Sequence, residues 1–280
     1  MQNPAPNLDQ MTYWNQAAAP AWVELNTDLD RQIAPLGAAA LAALAPRSGE
    51  RILDIGCGCG QSALALAEAV GATGRVVGVD ISAPMLAVAR RRAEAAAASH
   101  LRFLEADAQV HPFEPGAADA AYSRFGVMFF EDPAAAFANI RKALRSGGRI
   151  AFLCWRALTE NPWMTVPMSA GLKHLPPRPP PVPDAPGPFA FADGERLHGL
   201  LSAAGFADIE VKAHDQKIRN DPAATFRTAM RVGPLGAMLR EAPEARERVE
   251  ADVRAAILEH LENGQVTMDS ATWIVTARSP

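Results

Sequence analysis

The feature that most constrains this chain is a glycine-rich segment that joins a short apolar run to a helical pattern. It reads RILDIGCGCG from Arg51 to Gly60, and its apolar residues suffice for one buried strand. Apolar residues at helical spacing then follow through Val70. A strand, a glycine turn and a helix in this order present backbone N–H groups to a ligand, and glycine lets that ligand approach the main chain. The segment therefore predicts a ligand site at the start of the helix.

A carboxylate beside the turn narrows the type of ligand. Asp54 lies at the end of the predicted strand, where its charge would repel a pyrophosphate and would suit a cation such as an ammonium group. The dinucleotide pattern G-x-G-x-x-G/A would also need Gly or Ala at position 61, where the chain has Gln61. Both observations speak against a nicotinamide-dependent oxidoreductase, which is kept as the less favoured alternative.

Two further predicted strands also run into acidic residues. RVVGVD ends in Asp80, and LRFLEADA runs into Asp107. An acid at the tip of a second strand can accept hydrogen bonds from both hydroxyls of a ribose. Each acid could instead cap the helix that follows it. Three acids at successive strand ends, together with the glycines, favour the binding interpretation.

These segments, in this order and at this spacing, resemble the class I S-adenosylmethionine (SAM)-dependent methyltransferases. The resemblance covers roughly residues 50 to 155 and rests on LDIGCGCG, VVGVDISAPMLAVAR, FLEADA, DAAYSRFGVMFFEDP and IRKALRSGGRIAFLCW. The nearest branch is similar to the small-molecule methyltransferases related to ubiquinone and menaquinone biosynthesis. The resemblance implies SAM as cofactor, in-line methyl transfer to a small molecule, and release of S-adenosylhomocysteine.

The resemblance also implies a set of cofactor-binding residues. Asp107 would accept from the adenine amino group, whereas Arg124 would pair either with the cofactor's carboxylate or with a structural partner. Tyr13 and Trp14 would form either a lid over the methionine end of the cofactor or a fixed helix packed on the sheet. The full predicted set is Asp54, Gly56, Cys57, Gly58, Gly60, Asp80, Ile81, Met85, Asp107, Ala108, Ser123, Arg124, Tyr13 and Trp14. The histidines stand in no motif, so no catalytic residue is predicted.

Composition bears on partners and location. The net charge of −4 offers no broad attraction for nucleic acid, which argues against a DNA or RNA methyltransferase and agrees with the small-molecule acceptor that the resemblance implies. Cys57 and Cys59 have no further Cys or His in a ligand pattern, so no metal site is expected. No run approaches about 18 apolar residues and the N-terminal residues resemble no signal peptide, which predicts a cytoplasmic protein without membrane insertion. Homodimerisation is left open.

The order of strands and helices predicts the architecture. Five strands that alternate with helices up to Trp155 indicate a parallel, doubly wound sheet. We expect an α/β fold with a Rossmann-like sheet of seven strands, the last antiparallel, and a helical cap over the C-terminal edge. Ala38–Leu44 is predicted as a helix separate from the one before it. A single methyltransferase domain over 1–280 would have its core in about 38–155, 193–218 and 269–278, and its cap in 11–36, 156–192 and 219–264.

The acceptor is only loosely constrained. Apolar side chains after the fifth strand favour an apolar or aromatic small molecule, namely Trp163, Met164, Met168, Phe189 and Phe191. Whether carbon, oxygen or nitrogen receives the methyl group, and whether a general base takes part, does not follow from the sequence. The main alternative is a SAM-binding protein without transferase activity, which turnover would distinguish.

Overall fold

The computed structural model describes residues 7–177, 182 and 185–280 of the chain. Part of the proline-rich stretch within the expected cap segment 156–192 therefore lies outside the described residues, as do the first six residues.

One mixed sheet forms the centre of the molecule, with strand order β3-β2-β1-β4-β5-β8-β6. β1 to β5 run parallel, and β8 lies between β5 and β6, antiparallel to both. This confirms the predicted sheet with its antiparallel last strand, and a short strand β7 pairs with β8 in addition. The strands are β1 (Arg51–Ile55), β2 (Arg75–Asp80), β3 (Leu101–Glu105), β4 (Ala118–Arg124), β5 (Leu144–Trp155), β6 (Ala207–Asn220), β7 (Leu261–Glu262) and β8 (Gln265–Arg278).

Helices surround the sheet, and several begin at an aspartate that caps them. Asp132, Asp193 and Asp221 each accept a hydrogen bond from a backbone N–H in the first turn of the helix that follows. Within the described residues, no helix has the length and apolar character needed to cross a bilayer. The helices are α1 (Leu8–Thr12), α2 (Ala19–Glu24), α3 (Asn26–Leu44), α4 (Gln61–Val70), α5 (Ala83–Ala95), α6 (Pro133–Ala143), α7 (Pro162–Leu172), α8 (Gly194–Ala203), α9 (Pro222–Ala229), α10 (Gly233–Glu241) and α11 (Arg246–Leu258).

Helix α3 corrects one expectation, because it is continuous where the sequence predicted two helices. Pro35 lies inside it and removes one backbone hydrogen bond, but the apolar face that packs on the sheet continues on both sides. Gly37 permits the close packing, since a Cβ there would lie 2.7 Å from Cδ of Arg124. The Tyr122 hydroxyl also donates to the Gly37 carbonyl at 2.9 Å. Packing against β4 thus outweighs the local effect of the proline.

The later helices form a cap with a core of its own. Apolar side chains of α7, α9, α10, α11 and the start of β8 are buried together, including Leu235, Val249 and Val253. The cap is tied to the N-terminal helices by ion pairs, of which Arg231–Glu24 at 2.6 Å and Arg227–Asp28 at 2.7 Å are examples. The insertion between β6 and β8 that the sequence predicted is therefore a packed structural layer.

Candidate functional site

The glycine turn forms a recess in the main chain at the carboxyl edge of the sheet. Gly56, Gly58 and Gly60 have φ values of 69°, 52° and 85°, which residues with a side chain rarely adopt. A Cβ on Gly56 would lie 2.7 Å from Cα of Gly126, so the turn after β1 and the loop after β4 touch through backbone alone. Helix α4 then begins at Gln61.

This recess opens into a cavity of about 660 Å³. Small-molecule sites commonly measure about 300–1,000 Å³. The ends of parallel strands meet along one edge of a sheet, and the cavity lies there between the strand ends, the N-terminal helices and the cap helices α7 and α10. Of the predicted site residues, eleven line it: Tyr13, Trp14, Gly56, Cys57, Gly58, Asp80, Ile81, Met85, Asp107, Ala108 and Arg124.

Asp54 lies just behind the cavity wall and is fully buried. Its Oδ2 accepts a hydrogen bond from the Ser62 hydroxyl at 2.7 Å, while its Oδ1 has no partner among the described residues. Burial raises the pKa of Asp54 to about 7, against the opposing effects of Ser62 and the Arg124 charge. Ser62 itself lines the cavity. A cation or donor that approached here would stabilise the charged carboxylate.

Asp80 is held in position by backbone groups on both sides. Its Oδ2 accepts from Gly58 N at 2.7 Å and its Oδ1 from Ser82 N at 2.8 Å. Burial raises the pKa of Asp80, and these backbone hydrogen bonds oppose the rise. Ser82 is also the residue before α5, so the capping and binding interpretations of this acid are compatible. Each carboxylate oxygen can accept a further hydrogen bond, and the side chain lines the cavity.

Asp107 already has side-chain and backbone partners. Asn7 Nδ2 donates to both of its carboxylate oxygens at 2.9 Å, and Gln109 N donates to Oδ1 at 2.9 Å. Asn7 is in turn fixed to Glu131, because each backbone N–H donates to the other residue's side chain at 2.7 Å. The beginning of the described chain therefore closes one end of the cavity beside Asp107.

Gly60 and Ser123 belong to the predicted set but do not line the cavity. A Cβ on Gly60 would lie 2.8 Å from that of Ala89, so this glycine lets α4 and α5 pack closely. Ser123 is fully buried, and its hydroxyl donates to the Ile55 carbonyl at 2.7 Å. Gly60 therefore serves helix packing, and Ser123 links β4 to β1 behind the site.

Arg124 does reach the cavity, but its guanidinium is already paired. Nη2 lies 3.1 Å from Oδ1 of Asp30, and Nη1 donates to the side chain of Gln61. Asp30 also pairs with Arg92 at 2.8 Å. The structural ion pair, one of the two roles left open for Arg124, is therefore present in this structure.

An aromatic cluster lies against the cavity where the N-terminal segment crosses it. Trp14 makes edge contacts with Tyr13 and Trp22, at ring-centre distances of 5.2 and 5.7 Å, and with Phe129 at 4.8 Å. The segment is fastened to the core, because the Ser82 hydroxyl donates to the Trp14 carbonyl at 2.8 Å. Phe129 was not singled out from the sequence, although it lies in the segment that follows β4.

A second aromatic cluster lines the side of the cavity toward the cap. Of this cluster, Trp163 was singled out from the sequence, whereas Phe125 and Trp155 were not. Phe125 stacks on Trp155 with ring centres 4.0 Å apart, and Trp163 lies 5.0 Å from Trp155. Phe125 has a φ of 62°, an unusual value for an aromatic residue and one that often marks a functional position. Its signal in the sequence was only its position one residue after Arg124, at the end of β4.

The residues expected to meet an acceptor divide into two groups. Trp163, Met164 and Phe189 line the cavity. Phe191 is instead buried in the main core, and Met168 packs against the core of the cap.

Charged groups are few on the wall of this cavity. Its described lining includes the carboxylates Asp30, Asp80 and Asp107 but no histidine. Among the described residues, no three His, Cys, Asp or Glu are grouped so as to hold a metal ion. The cavity wall therefore combines carboxylates with aromatic surface, which suits a ligand that carries both hydrogen-bond donors and apolar or cationic groups.

Comparison with known proteins gives a consistent picture. The family model described as a methyltransferase domain matches residues 52–148. The demethylmenaquinone methyltransferase of Thermus thermophilus is 46% identical over 108 residues, which are 38% of this chain and 48% of that protein. The chain thus spans about half the length of this relative. The demethylmenaquinone methyltransferase of Clavibacter sepedonicus is 34% identical over 177 residues, which cover 60% of this chain and 70% of that protein.

Solved structures agree at the level of the fold. The YcgJ protein of Bacillus subtilis superimposes with a TM-score of 0.57 at 18% identity, over 85% of this chain and 95% of that one. A likeness at this identity shows a shared fold, and it matches the Rossmann-like sheet described above.

Proposed function

Because the chain belongs to the class I SAM-dependent methyltransferases, we propose that it binds SAM in the cavity at the carboxyl edge of the sheet and transfers its methyl group to a small molecule. The observation that carries this proposal is the placement of acids from three successive strand ends at one cavity: Asp80 and Asp107 line it, and Asp54 is buried next to Ser62, which also lines it. Acidic groups match the ammonium, ribose and adenine amino donors of this cofactor.

The chain's own residues fit this cofactor. The unpartnered Oδ1 of Asp54 supplies an acceptor for a cationic donor near the glycine turn. Asp80 offers free lone pairs to a pair of hydroxyls, while Ile81 and Met85 supply apolar surface beside it. Asp107 would accept a hydrogen bond from the adenine amino group, and Ala108 would lie against the adenine ring. Arg124 would reach a carboxylate only by sharing its guanidinium with Asp30.

SAM supplies a methyl group already activated on a sulfonium, so the protein has to position the acceptor and exclude water. The rings that contact Trp14 and the Phe125–Trp155 stack contribute aromatic surface to the cavity wall. Aromatic faces attract a sulfonium through their negative quadrupole. No base is assigned, because no histidine lines the described part of the cavity.

We further infer that the acceptor is apolar or aromatic. Trp163, Met164 and Phe189 form an apolar wall on the cap side, and the relatives from Thermus and Clavibacter are named as methylating demethylmenaquinone. A cytoplasmic location is kept as a prediction, and homodimerisation stays open.

The test is turnover with methyl-labelled SAM and a panel of phenols, quinols and aliphatic alcohols, with S-adenosylhomocysteine followed by mass spectrometry. We expect S-adenosylhomocysteine to form only when an aromatic acceptor is present. The amount of S-adenosylhomocysteine should equal the amount of methylated product. Tight binding of SAM without acceptor-dependent turnover across the panel would support the alternative of a SAM-binding protein without transferase activity.

A further inference from the structure

Besides Oε1 of Gln10, two buried polar atoms of residues on the cavity wall have no hydrogen-bond partner among the described residues. They are Oε1 of Gln32, on helix α3, and Nε1 of Trp163, on helix α7. Gln32 is only 4% exposed. Burying such a group without a partner is unfavourable, so each unpaired atom calls for a partner, such as a bound ligand or water.

Both residues stand where the cavity narrows. A small extension of about 30 Å³ continues beyond the main cavity, and Gln32, Trp163 and Met164 line both spaces. The extension is also lined by apolar residues such as Pro167 and Leu235, and by Thr225 and Thr228, whose hydroxyls donate to backbone carbonyls of their own helix region. The amide oxygen of Gln32 and the indole N–H of Trp163 differ from these hydroxyls because they are buried without a partner.

We propose that Gln32 and Trp163 bind a hydroxyl group carried by an otherwise apolar acceptor. A hydroxyl has one donor and two acceptor lone pairs, so it can donate to Gln32 Oε1 and accept from Trp163 Nε1–H. A purely hydrocarbon ligand would leave both protein atoms unpaired. This inference rests on the proposed function, which it refines by naming a hydroxylated aromatic acceptor and the two residues that select it.

The neighbouring contacts keep both groups in place. Trp163 packs against Trp155 with ring centres 5.0 Å apart, and Trp155 is stacked on Phe125. Gln32 lies on the buried face of α3, one residue before Ile33. Both groups are carried by packed helices, so they are already ordered before a ligand binds. Binding therefore loses little side-chain conformational entropy.

The experiment compares 1-naphthol with naphthalene, which differ by one hydroxyl. Equilibrium dialysis measures both affinities for the full-length protein saturated with S-adenosylhomocysteine. We expect 1-naphthol to bind at least about fivefold more tightly, in line with hydrogen bonds to otherwise unpaired buried groups. Gln32→Met and Trp163→Phe should each bring this ratio to within about twofold of unity. The control Met164→Leu changes the wall without removing a polar atom and should keep the wild-type ratio.

The outcomes separate this inference from the proposed function. A wild-type ratio near one, no measurable binding of 1-naphthol, or a ratio unchanged in both variants that still bind S-adenosylhomocysteine would overturn the selection by Gln32 and Trp163. Failure of the wild-type protein to bind S-adenosylhomocysteine would count instead against the proposed function. A ratio lost in both variants and kept in the control supports the inference.

Discussion

The side-chain amide of Asn7 donates hydrogen bonds to both carboxylate oxygens of Asp107, although the two residues are 100 positions apart. Asp107 is the residue proposed to accept from the adenine amino group. In this structure an amide of the chain itself therefore occupies the place of an amino donor. Glu131 fixes Asn7 there through two further hydrogen bonds of 2.7 Å.

The first prediction follows from this competition. Asn7→Ala removes the internal donor, so S-adenosylhomocysteine no longer has to displace it, and affinity should rise by about two- to tenfold, the value of one hydrogen bond. Calorimetry measures the change, and Glu131→Ala, which releases Asn7, should act in the same direction. Weaker binding in Asn7→Ala would mean that Asn7 belongs to the cofactor site itself.

The second prediction concerns Asp80. Asp80→Ala leaves two ribose hydroxyls without acceptors, and charge-assisted hydrogen bonds contribute about 1.5–3 kcal/mol each, so affinity for S-adenosylhomocysteine should fall at least tenfold. Glu105→Ala is the matched control, because Glu105 also ends a strand but does not line the cavity. If the folded Asp80→Ala protein bound within twofold of wild type, Asp80 would not be a cofactor residue.

The third prediction uses the raised pKa of Asp54, about 7. Below pH 7 most Asp54 carries a proton, and a bound ammonium group favours the ionised form, so binding should release a proton at pH 6. At pH 8.5 Asp54 is already ionised, so ligand binding should release no proton from it. Calorimetry of S-adenosylhomocysteine binding in two buffers of different ionisation enthalpy counts the protons. Asp54→Asn should abolish this share of the release, and equal release in wild type and variant would contradict the role.

The fourth prediction concerns the N-terminal aromatic segment. Residues Tyr13–Ala17 form a π-helical turn, a less stable geometry than an α-helix and one often found at functional sites. Hydrogen exchange of the Tyr13–Trp22 backbone should therefore slow when S-adenosylhomocysteine is added, because the ligand gives this segment additional contacts. Helix α8, which contributes no residue to the cavity wall, serves as the internal control and should change little. Full protection of the segment before the ligand is added would make it a fixed structural helix.

The fifth prediction separates support from binding at Ser123. Ser123→Ala removes the hydroxyl that donates to the Ile55 carbonyl and accepts from Gly126 N at 3.2 Å. Leaving these buried groups unpaired should lower the free energy of unfolding by about 1–3 kcal/mol. Denaturant unfolding measures this, and affinity for S-adenosylhomocysteine should change less than twofold. A large loss of affinity at unchanged stability would return Ser123 to the cofactor site.

Much of the cavity wall proposed to bind the cofactor could be anticipated from the sequence because its determinants are local. Glycines that need positive φ, acids at strand ends and apolar runs of strand length are each readable over a few residues, and parallel strands bring their ends to one edge. The family resemblance and the sheet with its antiparallel last strand are confirmed on this basis. Gly60 and Ser123 could not be separated from the lining residues, since the sequence does not show which face of a turn meets the cavity.

What the sequence by itself determined is the order of elements, the glycine turn and the acids at the ends of β1 and β2 and just beyond β3. Only the tertiary structure decided that Asn7 pairs with Asp107, that Phe125 stacks on Trp155, and that α3 continues through Pro35. These contacts join residues far apart in the chain, and their free energy comes from burial and packing that no local pattern records. The same holds for Gln32 and Trp163, whose unpaired atoms become meaningful only when two distant helices enclose one cavity.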